Sequence, residues 1–156
     1  YITSALIRHL LEAEHKPTRM VLTVQQEVAE RILARDGKMN LLALSVQVYG
    51  KPELKARIPA GCFYPAPEVD SAVLTIELYP QPLIPAEQLD LFFELAHAGF
   101  AQKRKTLRNT LASGMKKNPA WAEQLLGVAG IDPQRRAETL SLPEWKQIVE
   151  AYQALI

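Results

Sequence analysis

The sequence has little of several features that would point to particular classes of protein. Cys62 is the single cysteine among 156 residues, so no disulfide can form within the chain and a reducing compartment, the cytoplasm, is expected. The three histidines and Cys62 match no metal-ligand spacing, so no metal site is predicted. The seven glycines form no Gly-x-Gly-x-x-Gly pattern. No apolar run approaches the roughly 20 residues that span a bilayer, and no membrane contact is expected.

Acidic residues are absent from one long stretch of a chain that is otherwise balanced in charge. Eighteen basic and seventeen acidic residues give a net charge of +1, yet no acidic residue stands between Glu94 and Glu123. The basic residues in that stretch are Lys103, Arg104, Lys105, Arg108, Lys116 and Lys117. Two interpretations remain open: a solvated helix face, or a rigid cationic surface that binds an anionic partner.

The first half of the chain shows an α/β pattern. Apolar spacing predicts helices at 4–13 and 25–34, and the run 20–24 is typical of a strand buried on both faces of a parallel sheet. Apolar residues then alternate with more polar ones, which predicts strands around 42–48, 54–58 and 72–78. A turn is predicted at 50–52 and a proline-rich loop at 59–70.

Helical patterns fill the second half of the chain. An apolar stripe from Leu89 to Leu111 predicts helical structure through the basic stretch, which would place its cations on one side of a helix. A short helix is predicted at 121–126, an N-cap at Asp132 followed by Pro133, and a capping box at Ser141–Glu144 that begins the last helix. Trp121 and Trp145 are predicted to be core residues.

The proline-rich loop contains the most unusual local sequence, in which the aromatic pair Phe63-Tyr64 precedes Pro65 and Pro67. One interpretation is a stiff connection whose aromatic residues pack on the core. The other is an aromatic surface at the rim of a sheet, suited to stacking on a planar ligand such as a nucleobase. The residues alone leave both open.

Three motifs occur in order along the chain, namely Phe63-x-Pro65-x-Pro67-x-Val69-x-Ser71, then the run from Phe100 to Asn109, and then Gly130-Ile131-Asp132-Pro133 with Arg136-Ala137-Glu138. This series resembles the C-terminal part of the small-subunit ribosomal RNA adenine N6,N6-dimethyltransferase family, and the resemblance covers the whole chain. Members of that family use S-adenosylmethionine to dimethylate two adjacent adenosines near the 3′ end of small-subunit rRNA, during ribosome biogenesis.

The resemblance implies a fold and a domain organisation. The fold class expected is α/β, with the C-terminal end of a Rossmann-like methyltransferase sheet at residues 1–79, a proline-rich linker at 80–85 and a small all-α RNA-binding domain at 86–156. Tyr1-Ile2-Thr3-Ser4 is similar to the residues that follow the family's catalytic Asn-Leu-Pro-Tyr. The cofactor loop and catalytic motif are therefore expected upstream, and the fragment alone is expected to be inactive.

The resemblance also implies site residues and partners. Phe63 would stack on the flipped target adenine, and Lys103, Arg104, Lys105 and Arg108 would contact rRNA phosphates. The partner expected is small-subunit rRNA in a pre-ribosomal small subunit, bound by a monomer. No cofactor-binding residue is expected within the fragment, although the intact enzyme would bind S-adenosylmethionine.

The chain departs from the family pattern at two places, and two alternatives stay open. Gln26 stands where the family has Lys, and Leu41-Leu42 replaces a Tyr-Gly pair. One alternative is the related large-subunit adenine methyltransferase that confers macrolide resistance, although the run around Arg108 favours the small-subunit enzyme. The other is a non-catalytic nucleic-acid-binding protein on the same fold, similar to relatives that serve in mitochondrial transcription.

Overall fold

The computed structural model describes residues 2–35 and 37–156, which form two compact units. The first comprises the chain up to Ala34 together with Leu42–Leu83, and the second comprises Arg35–Leu41 together with Ile84–Ile156. The break after Leu83 falls within the proline-rich segment 80–85. The segment 35–41 groups with the second unit because Met39 is buried and its N–H donates to the carbonyl oxygen of Glu138 at 3.0 Å. None of the helices in the described ranges is long and apolar enough to cross a membrane.

The first unit contains one small β-sheet and three α-helices. Its elements are α1 (Ile2–Leu11), β1 (Arg19–Gln25), α2 (Gln26–Ile32), α3 (Leu41–Gln47), β2 (Gly50–Ile58), a 3-10 turn (Ala60–Cys62) and β3 (Ser71–Leu78). The strands form an antiparallel sheet in the order β1-β3-β2, with Val21 opposite Thr75 and Leu54 opposite Leu74. One face of the sheet is packed: α2 places Ala29 against Val24 and Ala72.

The described residues do not show β1 buried on both faces of a parallel sheet, the environment predicted for it. In the described sheet β1 pairs with β3 alone, in the antiparallel direction. Met20 and Val24 are buried, whereas Val21 and Thr23 on the opposite face are exposed. An apolar run of this length contains too few polar residues to reveal which side faces solvent, so the pattern was compatible with either environment.

The strand predicted at 42–48 is wrong, because these residues form α3. Leu42, Leu44, Val46 and Val48 alternate in sequence, yet residues four apart also share one side of a helix. Ala43, Leu44 and Val46 are all buried. The side-chain amide of Gln47 donates to the carbonyl oxygens of Ile32 and Ala34, both at 2.9 Å, which fixes α3 beside the end of α2.

The turn predicted at 50–52 belongs instead to β2, which begins at Gly50 and includes Pro52 opposite Ile76. Proline lacks an N–H for the ladder, and it is tolerated here because β2 pairs on one side only within the described sheet. The strands predicted around 54–58 and 72–78 are confirmed as β2 and β3.

The second unit is helical. It contains α4 (Leu89–Phe100), α5 (Leu107–Gly114), α6 (Pro119–Ala129) and α7 (Leu142–Ala154), in which α4 packs on α5, α5 on α6, α6 on α7 and α7 on α4. The buried core includes Phe92, Leu95, Leu107, Leu111, Leu125, Leu126, Trp145, Ile148 and Val149. The capping box at the start of α7 and the burial of Trp145 are confirmed, whereas Trp121 is only half-buried. No helix begins at Asp132, whose carboxylate instead accepts the N–H of Gln134 in a turn.

Candidate nucleic-acid interface

The proline-rich loop closes the hairpin between β2 and β3. Ile58 pairs with Ser71, so residues 59–70 leave and re-enter the sheet at neighbouring positions. Asp70 holds the base of this loop through its side chain and its backbone. Its carboxylate accepts a hydrogen bond from the N–H of Ala60 at 2.9 Å, and its backbone carbonyl accepts one from the N–H of Gln26 at 3.0 Å. The loop is therefore anchored at its base by hydrogen bonds while its residues 61–70 are all exposed.

Phe63 and Tyr64 present their rings from this loop. Phe63 is 40% exposed and its backbone is extended, with φ −110° and ψ 152°. Tyr64 is fully exposed and is joined to Pro65 by a cis peptide bond. Every other aromatic side chain in the described ranges is buried or half-buried. The structure therefore places the two exposed aromatic residues side by side on one anchored loop.

The basic run does not form one helical face, contrary to the prediction. Helix α4 ends at Phe100 and α5 begins at Leu107, so Lys103, Arg104 and Lys105 lie in the connection between them. All three are exposed, and in the described part of the chain none of them forms an ion pair. The N–H of Lys105 donates to the carbonyl of Gln102 at 3.0 Å, which makes this connection a tight turn.

Arg108 stands apart from these three cations, because it has an acidic partner. Its Nε lies 2.5 Å from Glu123 Oε1 on α6, and its Nη1 lies 3.4 Å from Asn109 Oδ1. A carboxylate from outside the acid-free stretch therefore neutralises Arg108. Glu123 is fifteen residues away in sequence, and the packing of α5 on α6 brings it into contact.

The first backbone amides of α5 are already used within the protein. The N–H of Leu107 donates to the carbonyl of Arg135 at 2.8 Å, and the N–H of Arg108 donates to that of Pro133 at 3.2 Å. A free helix N-terminus attracts anions through such amides. Since these two are occupied, anion binding at this surface depends on the side chains of the basic turn.

Arg135 in turn is fixed to the start of α7. Its guanidinium makes a two-pronged contact with the Glu144 carboxylate, Nη1 to Oε1 at 2.7 Å and Nη2 to Oε2 at 3.1 Å. The hydrogen bond from Arg135 lowers the pKa of Glu144 below its ordinary value, and the same bond raises the pKa of Arg135. This pair anchors the segment that supports the first turn of α5.

A family model described as ribosomal RNA adenine dimethylase matches residues 1–154. The chain belongs to the ribosomal RNA adenine dimethylase family. Among curated relatives, the ribosomal RNA small subunit methyltransferase A of Dehalococcoides mccartyi strain CBDB1 is 52% identical over 154 residues, which cover 97% of this chain and 52% of that protein. The protein of that name from Desulfitobacterium hafniense strain DCB-2 is 41% identical, covering 97% of this chain and 55% of its own length.

Two solved structures share this fold. A dimethyladenosine transferase from Plasmodium falciparum superimposes with a TM-score of 0.80 at 20% identity, covering 98% of this chain and 63% of that one. The 23S rRNA methyltransferase ErmE gives a TM-score of 0.71 at 21% identity, covering 97% and 61%. The mixed α/β fold therefore agrees with that of methyltransferases. The chain spans about half the length of the curated relatives it matches.

The residues described here do not form the cofactor site that this methyltransferase family implies. In open α/β folds a nucleotide-type cofactor lies at the carboxyl ends of parallel strands, beside a glycine-rich turn. All strand pairs of the described sheet are antiparallel, and Gly37 and Gly130, which have positive φ, stand far apart in sequence. The described ranges also hold no group of three or more His, Cys, Asp or Glu residues that could bind a metal ion.

Sequence reasoning missed two features of this interface. The pairing of Arg108 with Glu123 joins residues of two helices, and the contact of Arg135 with Glu144 bridges a turn and a helix cap. Only the capping-box pattern could have drawn attention to Glu144, because it predicts a carboxylate at that position. Nothing in the sequence pattern selects Glu123 among the acidic residues of the second half.

Proposed function

We propose that this chain is the C-terminal part of an S-adenosylmethionine-dependent rRNA adenine-N6,N6-dimethyltransferase acting on adjacent adenosines near the 3′ end of small-subunit rRNA. The observation that carries the proposal is the exposed ring of Phe63 on an anchored loop, in a chain that belongs to the ribosomal RNA adenine dimethylase family. The small-subunit specificity is supported by the names of the relatives at 41–52% identity.

Phe63 would act as a stacking surface for the target adenine. A methyl group reaches the exocyclic nitrogen only after the base has left its stack, and an aromatic ring offsets part of the stacking that is lost. The hydrogen bonds of Asp70 fix the base of the loop, which would reduce the conformational freedom that the loop loses on binding. The residue would position the base and would take no part in proton transfer.

The basic turn would hold the RNA backbone. Lys103, Arg104 and Lys105 are exposed, and contacts from such side chains to phosphates position a nucleic acid without reading its sequence. Arg108 would add a smaller share, because Glu123 competes with phosphate for its guanidinium. Its main role would be to fix α5 against α6, so that the basic turn keeps its position.

A kinetic experiment on Phe63 tests this proposal. The chain would be joined to the N-terminal half that the proposed enzyme requires, and methyl transfer to small ribosomal subunits would be measured for wild type, Phe63→Ala and Phe63→Tyr. We expect Phe63→Ala to lower turnover by about 5- to 150-fold, as lost base stacking of about 1–3 kcal/mol implies, with cofactor affinity unchanged. Phe63→Tyr should retain most of the activity.

The matched control is Val69→Ala, which trims another exposed apolar side chain of the same loop. It should leave turnover near that of the wild type. Unchanged turnover in Phe63→Ala would contradict the stacking role. Absence of methyl transfer from the joined wild-type protein would favour the non-catalytic nucleic-acid-binding alternative.

A further inference from the structure

Tyr64 carries a ring that no described residue covers and that the proposed function does not use. It is fully exposed, and in the described ranges its hydroxyl has no hydrogen-bond partner and its ring has no aromatic or cationic neighbour. A tyrosine ring brings a large apolar surface to an interface at a low cost in conformational entropy. Its neighbour Phe63 is the other exposed aromatic residue of the described chain.

The two exposed rings do not stack on each other. Phe63 has an extended backbone, and in the described chain no ring contact joins it to Tyr64. The loop therefore offers two separate aromatic surfaces at adjacent positions.

We propose that Tyr64 is a second stacking site, which takes the base of a nucleotide next to the one that Phe63 holds. Single-stranded nucleic acids are bound by aromatic side chains on which neighbouring bases stack, and each such contact is tolerant of sequence. A second base held on Tyr64 would fix the strand on both sides of the loop. The assignment of the first base to Phe63 rests on the proposed function.

Binding of short single strands to the 156-residue chain tests this site without cofactor or methyl transfer. The probes are a fluorescently labelled oligoadenosine and an abasic ribose–phosphate strand of the same length, titrated at several salt concentrations. Tyr64→Ala should weaken oligoadenosine binding by about 5- to 150-fold, the fold-change that corresponds to base–aromatic stacking. Tyr64→Phe should bind like the wild type, because the ring alone is required.

Three further measurements distinguish the loss of stacking from a loss of phosphate contacts or of folding stability. The log–log salt dependence should be equal in Tyr64→Ala and the wild type, since stacking releases no counterions. Binding of the abasic strand should be equally weak for both proteins. Thermal unfolding should also be unchanged, because the ring is not buried. The matched control is again Val69→Ala, which should keep the wild-type affinity for oligoadenosine.

A double variant tests whether the two rings hold two bases. If they do, the free-energy losses of Phe63→Ala and Tyr64→Ala should add, so that the fold-changes multiply. If the double variant bound oligoadenosine no more weakly than the single variant with the lower affinity, both rings would contact one base, and the proposal would be overturned. Unchanged oligoadenosine affinity in Tyr64→Ala would overturn it as well.

The result is distinguishable from a failure of the proposed function. If the joined protein does not methylate small subunits while Tyr64→Ala still weakens base-dependent binding, the proposed function fails and the stacking site stands. If methyl transfer occurs and depends on Phe63, but Tyr64→Ala binds oligoadenosine as the wild type does, the stacking site fails alone.

Discussion

Cations that are neighbours in sequence have different surroundings in this protein. Arg104 lies in the exposed turn after α4 and forms no ion pair within the described chain, whereas Arg108 is half-buried and is paired with Glu123. Glu123 competes with a phosphate for Arg108, whereas a phosphate can approach Arg104 directly. Residues of one basic run are therefore not equivalent contributors to binding.

This difference predicts unequal salt dependence of RNA binding. Arg104→Ala should make the fall of log affinity with log salt less steep, reducing the magnitude of the slope by about 0.7–0.9, because one phosphate contact is lost. Arg108→Ala should lower it by less and should cost up to about 1 kcal/mol of folding stability through the lost pair with Glu123. The measurement is affinity for a structured RNA at increasing potassium chloride concentrations.

Glu123→Gln is the matched control for that prediction, because it leaves Arg108 in place and removes its partner. The salt dependence should then become steeper, because the freed guanidinium of Arg108 becomes available to phosphate. Identical slopes for the wild type and all three variants would mean that the basic turn is a solvated surface.

At the residue scale, sequence patterns placed Phe63 in a proline-rich loop and grouped the cations of the basic stretch, but they did not predict which residues surround them. Proline positions showed that 59–70 could not be a central strand, and the exposed loop agrees with this. The partner of Arg108 depends instead on how α5 packs on α6, and local spacing carries no information about a contact between two helices.

Helices α4 and α5 approach each other closely enough to require a glycine. A Cβ built on Gly114 would overlap both the Cβ and the backbone Cα of Ala98 in α4. We expect Gly114→Ala to destabilise the protein by about 1–3 kcal/mol through overpacking, despite the higher helix propensity of alanine. Gly127→Ala in α6 is the control: no atom lies within 4 Å of its Cβ, so this change should stabilise the protein by about 0.5–1 kcal/mol. Denaturant unfolding would distinguish the two, and a stabilising Gly114→Ala would contradict the close approach.

The start of α7 predicts a dependence of stability on pH. Glu144 accepts bonds from Arg135 and from the N–H of Ser141, and its pKa in the folded protein is lowered from the ordinary 4.5. A depressed pKa contributes stability that is fully present above about pH 4.5 and is lost as pH falls through the lower folded value. Glu144→Gln should therefore destabilise the protein by about 1–3 kcal/mol at neutral pH, with the difference shrinking in acid.

Glu150→Gln on the exposed side of the same helix should show no such difference at either pH. Urea unfolding at pH 7 and pH 3.5 would give the four comparisons needed. A deficit in Glu144→Gln that persists unchanged at pH 3.5 would contradict the role of its charge.

Helices and strands could be predicted correctly where the spacing of apolar residues and the capping residues indicated the same element. They were not predicted correctly where the apolar spacing fitted both a helix and a strand. The last helix was predicted because a capping box precedes a long amphipathic stripe. Residues 42–48 fit two periods, since Leu42 and Val46 share a side in a strand and in a helix. Their helix is set by non-local contacts, including the bonds from Gln47 to the end of α2.

At the scale of the whole chain, the two surfaces named in the proposed function lie in different units. The loop with Phe63 belongs to the first unit and the basic turn to the second. The sequence predicted a division in the segment 80–85, but not the grouping of 35–41 with the second unit. That grouping depends on the burial of Met39 and its bond to Glu138, which lie far apart in sequence.

The chain by itself should bind S-adenosylmethionine negligibly. Its described strands pair only in the antiparallel direction, and its seven glycines supply no glycine-rich loop for the cofactor. Calorimetric titration of the 156-residue chain should therefore give no binding heat at micromolar cofactor. A micromolar Kd would contradict the assignment of the cofactor site to other parts of the protein.

We propose above that this chain completes an enzyme that dimethylates adenosines of small-subunit rRNA. The most direct test of this proposal is mass-spectrometric mapping of small-subunit rRNA, taken from unmethylated subunits incubated with the joined protein and S-adenosylmethionine. We predict N6,N6-dimethyladenosine at two adjacent positions near the 3′ end, and much less of it when the joined protein carries Phe63→Ala. Dimethylation confined to large-subunit rRNA, or no methylation of either RNA by a protein that binds the cofactor, would contradict it.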